Sequence, residues 1–276
     1  CNFISLEIVT VHDMAFMYNS NLLSPWRNIY LKYAIKKSAG KAQRIIAISN
    51  STRDDLMRFY NIEPERIRVI YSGVDERFKP ADLLLISAFK EKKSLPNDFI
   101  LFLGDLEKRK NIPLLLEAFS ILTKEMKIPV KLVIAGKPSN AFLEILSIIE
   151  RKDLKEDILL PGYIEEEDLP LLFSSASLFV YPSLYEGFGL PLLEAMACGI
   201  PVIASNCSSI PEVTGDAALL LSSFEPYEWA YSMRDLILDR DKKNDFIEKG
   251  LKRVKDFSWD KTARKTLAVY EEFKKG

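Results

Sequence analysis

A chain of 276 residues with 48% hydrophobic and 28% charged side chains has the composition of a soluble globular protein, long enough for two ordinary domains. A formal net charge of −1 offers no general attraction to nucleic acid, so any anion must be held by a local arrangement. His12 is the single histidine and Cys1, Cys198 and Cys207 contain no CxxC pair, which excludes a histidine-rich zinc site and suits a reducing, cytoplasmic setting. No run approaches the roughly eighteen apolar residues of a membrane span, and no basic-then-apolar leader opens the chain.

Short apolar runs at 7–11, 44–48, 67–70, 99–103, 130–134, 177–181 and 200–204 predict buried parallel strands. Helical periods fall between them at 25–39, 51–60, 111–127, 140–152, 166–175 and 190–198. This alternation predicts a doubly wound α/β architecture, in which ligands bind beyond the carboxyl ends of the strands. The helix at 25–39 mixes aromatics with Arg27, Lys32, Lys36 and Lys37. Packing on a sheet is the favoured reading of that mixture, and attachment to a membrane surface is the other. The pattern breaks across 78–97, where Lys79-Pro80, the run Lys90-Glu-Lys-Lys93 and Pro96 suggest a solvated interdomain linker. The expected units are therefore residues 1–80, a linker at 81–98, a complete Rossmann-like domain at 99–257, and a last helix at 258–276 that Ser258 would cap.

The densest motif is Glu186-Gly-Phe-Gly-Leu-Pro-Leu-Leu-Glu194, running on through Ala195 to Val202. It sets two carboxylates eight residues apart around a glycine turn that opens a helix. Gly187 and Gly189 allow close backbone approach to a ligand, and Pro191 suits a first helical turn. The free N–H groups of such a turn attract phosphate. Glu194 is placed to accept hydrogen bonds from a ribose diol.

Together with its flanks, this stretch resembles the signature of the retaining group 1 glycosyltransferases, the glycogen-synthase-like and sucrose-synthase-like enzymes of GT-B fold. The resemblance implies two Rossmann-like domains, the first incomplete here, and transfer of a sugar from a nucleoside diphosphate donor to a hydroxyl with retention. It implies that Glu186 contacts the transferred sugar, that Gly187, Phe188, Gly189 and Leu190 offer their backbone to sugar and phosphate, and that Glu194 grips the ribose. Ile8-Val-Thr-Val-His-Asp13, Ile45-Ile-Ala-Ile-Ser49 and Ile70-Tyr-Ser-Gly-Val-Asp75 match the second half of the family's first domain, whose opening portion has no counterpart. A fragment and a shortened or split gene both stay open as explanations. The last helix is expected to cross back onto the first domain.

The leaving diphosphate gains charge as the glycosidic bond breaks, which calls for cations. Gly104-Asp-Leu-Glu-Lys-Arg-Lys-Asn111 follows a strand and opens a helix, and by resemblance it supplies Arg109 and Lys110. Asp105 stands where many relatives carry arginine, so these two would act alone. An opposite-charge pair near ~4 Å at an effective dielectric of ~20 is worth roughly 4 kcal/mol before desolvation. Lys110→Ala is therefore expected to nearly abolish transfer while sparing thermal stability. By resemblance, His12 would contact or position the donor sugar, against the plainer reading of a structural histidine. Ser49, Ser72 and Gly73 would line the cleft from the first domain, and Gly136, Gly162 and Tyr163 from the second.

The expected donor is GDP-mannose or a UDP-sugar, and the acceptor a hydroxyl of a glycan or lipid-linked sugar in polysaccharide, lipopolysaccharide or glycolipid synthesis. No metal or cofactor is expected. Two alternatives stand beside this one. Glu186 and Glu194 could serve as acid and nucleophile of a retaining glycosidase, which leaves Arg109 and Lys110 without a task. The chain could also be a nucleotide-sugar-binding subunit whose first domain a partner chain completes. A nicotinamide dehydrogenase is disfavoured because no strand is followed by Gly-x-Gly-x-x-Gly.

Overall fold

The computed structural model describes residues 7–18 and 25–273; Cys1 lies outside them, as do residues 274–276 of the expected last helix. Two parallel sheets divide the chain. The first part runs β1 (Ile8–Val11), α1 (Ala15–Tyr18), α2 (Pro25–Lys41), β2 (Arg44–Ala47), α3 (Asn50–Tyr60) and β3 (Ile67–Val69). Its three strands pair in the order β1-β2-β3, with Ile8 opposite Arg44 and Ile45 opposite Ile67.

After α4 (Leu83–Lys92) the second part continues through β4 (Phe99–Leu103), α5 (Ile112–Ser120), β5 (Lys131–Ala135), α6 (Phe142–Arg151), β6 (Ile158–Gly162), α7 (Leu169–Ser175), β7 (Leu178–Tyr181) and α8 (Leu190–Ala197). It ends with β8 (Val202–Ser205), α9 (Ile210–Thr214), β9 (Leu219–Leu221), α10 (Pro226–Leu238), α11 (Arg240–Arg253) and α12 (Trp259–Glu271). The six strands order as β6-β5-β4-β7-β8-β9. The central strands β4, β7 and β8 are almost wholly buried, as continuous apolar runs in a sheet covered on both faces must be. Phe99, Phe102, Phe119, Phe173, Phe179 and Trp229 fill the space between sheet and helices.

Several elements depart from the sequence reading. Ile158–Gly162 is a strand although it carries Pro161; it lies at the sheet edge, where a missing ladder donor is tolerated. The stretch read as a solvated linker instead holds α4, whose start Asp82 caps by accepting from the Leu84 N–H at 2.8 Å. Phe89 is buried in the second core, Lys90 donates to the Asn97 carbonyl at 2.6 Å, and Lys93 pairs with Asp168 at 2.7 Å. The charge run itself is solvated as expected, with Glu91, Lys92 and Lys93 exposed, while Phe89 and the two tethered lysines fix the helix that carries it. The helix expected over 111–127 is α-helical only to Ser120 and continues as one π turn, Ile121–Glu125.

The segment 25–39 folds as α2, and the packing reading holds for one face of it. Leu31, Ile35 and Ala39 pack on the first core, while Trp26, Ile29, Tyr30 and Tyr33 are exposed by 60 to 83%. Most of its aromatic surface therefore faces outward.

Helix α12 returns to the first part. Ser258 caps it by accepting from the Lys261 N–H at 3.2 Å, Val269 packs with Ile46 and Ile70, and Glu272 pairs with Arg44 and Arg68. Thr262 donates to the Tyr71 carbonyl at 2.7 Å. Among the described residues no helix is long and apolar enough to cross a membrane.

Candidate active site

The strand order reverses direction between β4 and β7, so the loops leaving these two neighbours part company at their carboxyl ends. That crevice is where open α/β sheets bind ligands. The β4 loop carries Arg109 and Lys110 on a short 3-10 turn, and the β7 loop carries Glu186. Leu184 donates its N–H to the Arg109 carbonyl at 2.8 Å, which ties the two loops together.

Glu186 is only 6% exposed, and its carboxylate takes both cations: Lys110 Nζ at 2.8 Å on Oε1 and Arg109 Nη1 at 2.8 Å on Oε2. Lys110 is itself 5% exposed and donates a second bond to the Tyr181 hydroxyl. It is no solvated basic corner. Arg109 is shared with Glu107 at 2.6 Å, so two cations face two carboxylates and the ligand-free cluster is neutral. Burial pushes the Glu186 carboxyl up, but Lys110 and Arg109 outweigh it and hold the group below the usual carboxylate range. Burial pulls the Lys110 ammonium down against the attraction of Glu186.

Beyond Glu186 the chain enters a tight junction. A side chain at Gly187 would meet the His12 carbonyl oxygen at 2.1 Å, so only glycine lets the two parts approach this closely. Gly189 adopts φ 94° and starts α8. Pro191 supplies no N–H, and that of Leu192 is held by the Gly189 carbonyl at 3.0 Å. The N–H groups this helix start leaves to an anion are therefore those of Gly189 and Leu190. The Phe188 ring turns away from the crevice and packs with Tyr71 and Phe257, leaving only its backbone for a ligand.

Gly104, Gly136 and Gly162 end the adjacent strands β4, β5 and β6, and Gly136 donates its N–H to the Gly162 carbonyl at 2.8 Å. Tyr163 follows, half exposed, with Lys137 Nζ at 4.6 Å from its ring centre. His12 ends β1 as an exposed side chain, beside a cleft of ≈190 Å³ between the two parts that Asp13, Phe16, Glu107, Arg109 and Asn140 line. Two expected cleft residues are elsewhere. Ser49 is fully buried as the cap of α3, and Gly73 lies against the Ser258–Trp259 backbone, where a Cβ would sit 2.2 Å from the Trp259 nitrogen.

Residues 85–253 match the family described as glycosyl transferases group 1, and residues 8–78 the one described as glycosyltransferase family 4. This chain belongs to the group 1 glycosyl transferases. O-antigen chain mannosyltransferase B of Escherichia coli is 31% identical over 265 residues, 96% of this chain and 70% of its own length. The serotype-specific mannosyltransferase WbdA of Escherichia coli is 35% identical over 227 residues; the match covers 81% of this chain but 28% of WbdA. Among solved structures, Anabaena HepE in complex with UDP and glucose matches with a TM-score of 0.79 at 21% identity, over 96% of this chain and 71% of HepE. Sucrose-phosphate synthase from Thermosynechococcus elongatus gives 0.79 at 23% identity, over 96% and 67%. The fold of this glycosyltransferase is GT-B.

Sequence reasoning missed the groups that hold the glycosyltransferase motif in place. Ser208, at φ 48°, accepts from the Glu186 N–H at 2.9 Å, and Ser209 donates to the Glu186 and Phe188 carbonyls at 3.0 Å each. They come from the loop after β8, more than twenty residues along the chain. Only their position after a predicted strand hinted at the site.

Glu194 lies partly buried on α8, and its loss of solvent pushes its carboxyl up to about 7, with Arg77 opposing the effect and Asp75 and Glu166 adding to it. The folded chain keeps this proton to about 7, whereas an unperturbed carboxyl loses it near 4.5. Stability from the group is complete below the lower value and is lost as pH rises to the higher one, by about 3 kcal/mol. Glu194→Gln is expected to raise the ligand-free melting temperature by several degrees at pH 8 and hardly at all at pH 4. Calorimetric scans at the two values check this, and equal shifts would show that the carboxyl is not held protonated.

Proposed function

We propose that this chain transfers a hexose from a nucleoside diphosphate sugar to a hydroxyl acceptor, with retention, in the building of a bacterial surface polysaccharide. The observation that carries the reading is the meeting of Glu186, Arg109 and Lys110 at the sheet's switch point, with the Gly189–Leu190 helix start beside them. In this reading the sugar hydroxyls donate to Glu186, and the diphosphate draws on Arg109, Lys110 and the two free N–H groups as its charge grows. Glu194 accepts from the ribose. The names of the two Escherichia coli relatives support mannose as the sugar, and the ligands of HepE support a nucleotide donor.

In this reading Arg109, Lys110 and the helix start face the diphosphate where other transferases would place a metal. Thermal-shift titration with GDP, UDP and ADP tests the assignment. A ligand at ~100 times its dissociation constant adds about 2.7 kcal/mol, or roughly 5 to 10 degrees. One nucleotide is expected to give this rise with EDTA present; no rise with any of the three would defeat the donor site, and a rise abolished by EDTA would defeat metal independence.

The outward face of α2 supports a lipid-linked acceptor. Trp26, Ile29, Tyr30 and Tyr33 form an exposed stripe at helical spacing, continued by Lys36 and Lys37, and the helix has no acidic residue. Such a face suits an anionic membrane surface. The protein is expected to sediment with phosphatidylglycerol vesicles at low salt and to be released at high salt; failure to sediment at low salt rules the attachment out.

A further inference from the structure

Two carboxylates outside the motif, Asp55 buried and Glu212 partly buried, join the two parts of the molecule, and both act on α3. Asp55, 4% exposed on that helix, accepts from the Tyr185 hydroxyl at 2.7 Å on Oδ2 and from the Tyr18 hydroxyl on Oδ1. Tyr185 also receives the Met14 N–H at 3.2 Å and stacks at 4.9 Å on the Tyr18 ring. Five residues earlier on α3, Glu212 of α9 accepts from the N–H groups of Asn50 and Ser51 at 2.9 Å each, and from the Asn50 amide and Tyr71 hydroxyl at 2.8 Å. A carboxylate from one part therefore caps a helix of the other.

Tyr185 immediately precedes Glu186, and its own carbonyl accepts from Arg109 Nη1 at 3.3 Å. Glu212 follows Ser208 and Ser209, which hold the Glu186 backbone. The two carboxylate tethers between the Glu186 region and the first part thus meet on α3, at Asp55 and at its first turn. We propose that Asp55 and Tyr185 are positioning residues that make the placement of Glu186 conditional on closure of the first part against the second, with Glu212 setting the depth of that closure. The proposal rests on the assignment of Glu186 to the transferred sugar. Its consequence is chemical: a donor bound to the open form meets a misplaced carboxylate and is spared loss to water, and the competent geometry forms only when the acceptor-bearing part is docked.

The test compares Tyr185→Phe, which keeps the ring and removes only the hydroxyl, and Asp55→Asn with the unaltered chain. Amide exchange at Leu184 and Glu186, both hydrogen-bonded in the loop, is read by mass spectrometry together with β4 and β7. Loss of one hydrogen bond to a charged group should speed loop exchange about tenfold and leave β4 and β7 unchanged. Turnover of GDP-mannose and UDP-glucose with water as acceptor should fall by a similar factor, with KM for the donor changed less than about twofold. Unchanged loop exchange in both variants overturns the proposal, as does equal acceleration in β4 and β7, or a KM that rises as kcat falls. Absence of turnover with water in the unaltered chain leaves the transferase reading to the nucleotide titration, and loop exchange then decides the positioning role by itself.

Discussion

Glu186→Gln is expected to lower transfer on the order of a hundredfold to a thousandfold while nucleoside diphosphate alone binds more tightly than to the unaltered chain. Glutamine keeps the shape but removes the charge that now satisfies Lys110 and Arg109. Two like charges a few ångströms apart at an effective dielectric of ~20 repel by roughly 3 to 4 kcal/mol before screening and rearrangement. An incoming diphosphate escapes that repulsion in the variant and replaces the lost counter-ion. The ligand-free variant pays in stability, since Lys110 is left buried beside Arg109 with no carboxylate but Glu107 nearby. Calorimetric titration with GDP and UDP and melting scans with and without nucleotide check both signs. Weaker nucleotide binding together with unaltered turnover would remove Glu186 from the donor site.

Lys110→Ala is expected to cost transfer on the order of a thousandfold, the scale of losing a preorganised charge that faces the leaving group. The structure revises the accompanying expectation for stability. A lysine on a loop at the surface would be dispensable to folding, but Lys110 sits 5% exposed between Glu186 and Tyr181. Removing one member of a buried pair costs about 3 to 5 kcal/mol because the other charge stays behind, or roughly 6 to 15 degrees in melting temperature for a chain of this size. Arg109 still reaches Glu186 and places the loss toward the smaller end. Combining Lys110→Met with Glu186→Gln should recover part of the stability and none of the turnover, which separates the two roles. Urea unfolding of the single and double variants measures the first, and donor turnover the second. A Lys110→Ala protein within tenfold of full activity would exclude the diphosphate role.

Much of the architecture was legible locally. The runs that became β4 and β7 are apolar along their whole length because both faces of a parallel sheet are covered, and those of β1, β2, β5 and β8 are mostly so; that property survives in one dimension. The glycine turn before α8 was legible for the same reason, since φ 94° at Gly189 and a proline at the next helical position are demands of a few adjacent residues. Local signals misled where a long-range contact overruled them. The edge strand at 158–162 was not among the predicted runs, the charged run at 90–93 hid a helix anchored by Phe89, and the aromatics of α2 point away from the core that Leu31 and Ala39 serve.

The sequence by itself determined the α/β alternation, the family motif and the pair of cations, Arg109 and Lys110, that ends the loop after β4. Only the tertiary structure decided that Glu186 is already engaged by Lys110 and Arg109, across 76 and 77 residues of chain, and that Asp55 and Glu212 clasp the loop and α3 across 130 and 162. A carboxylate in a helical segment looks the same in sequence whether it faces water or a tyrosine brought from another sheet. Its partner is chosen by how the two parts pack, and that choice depends on the whole fold rather than on any neighbouring residue.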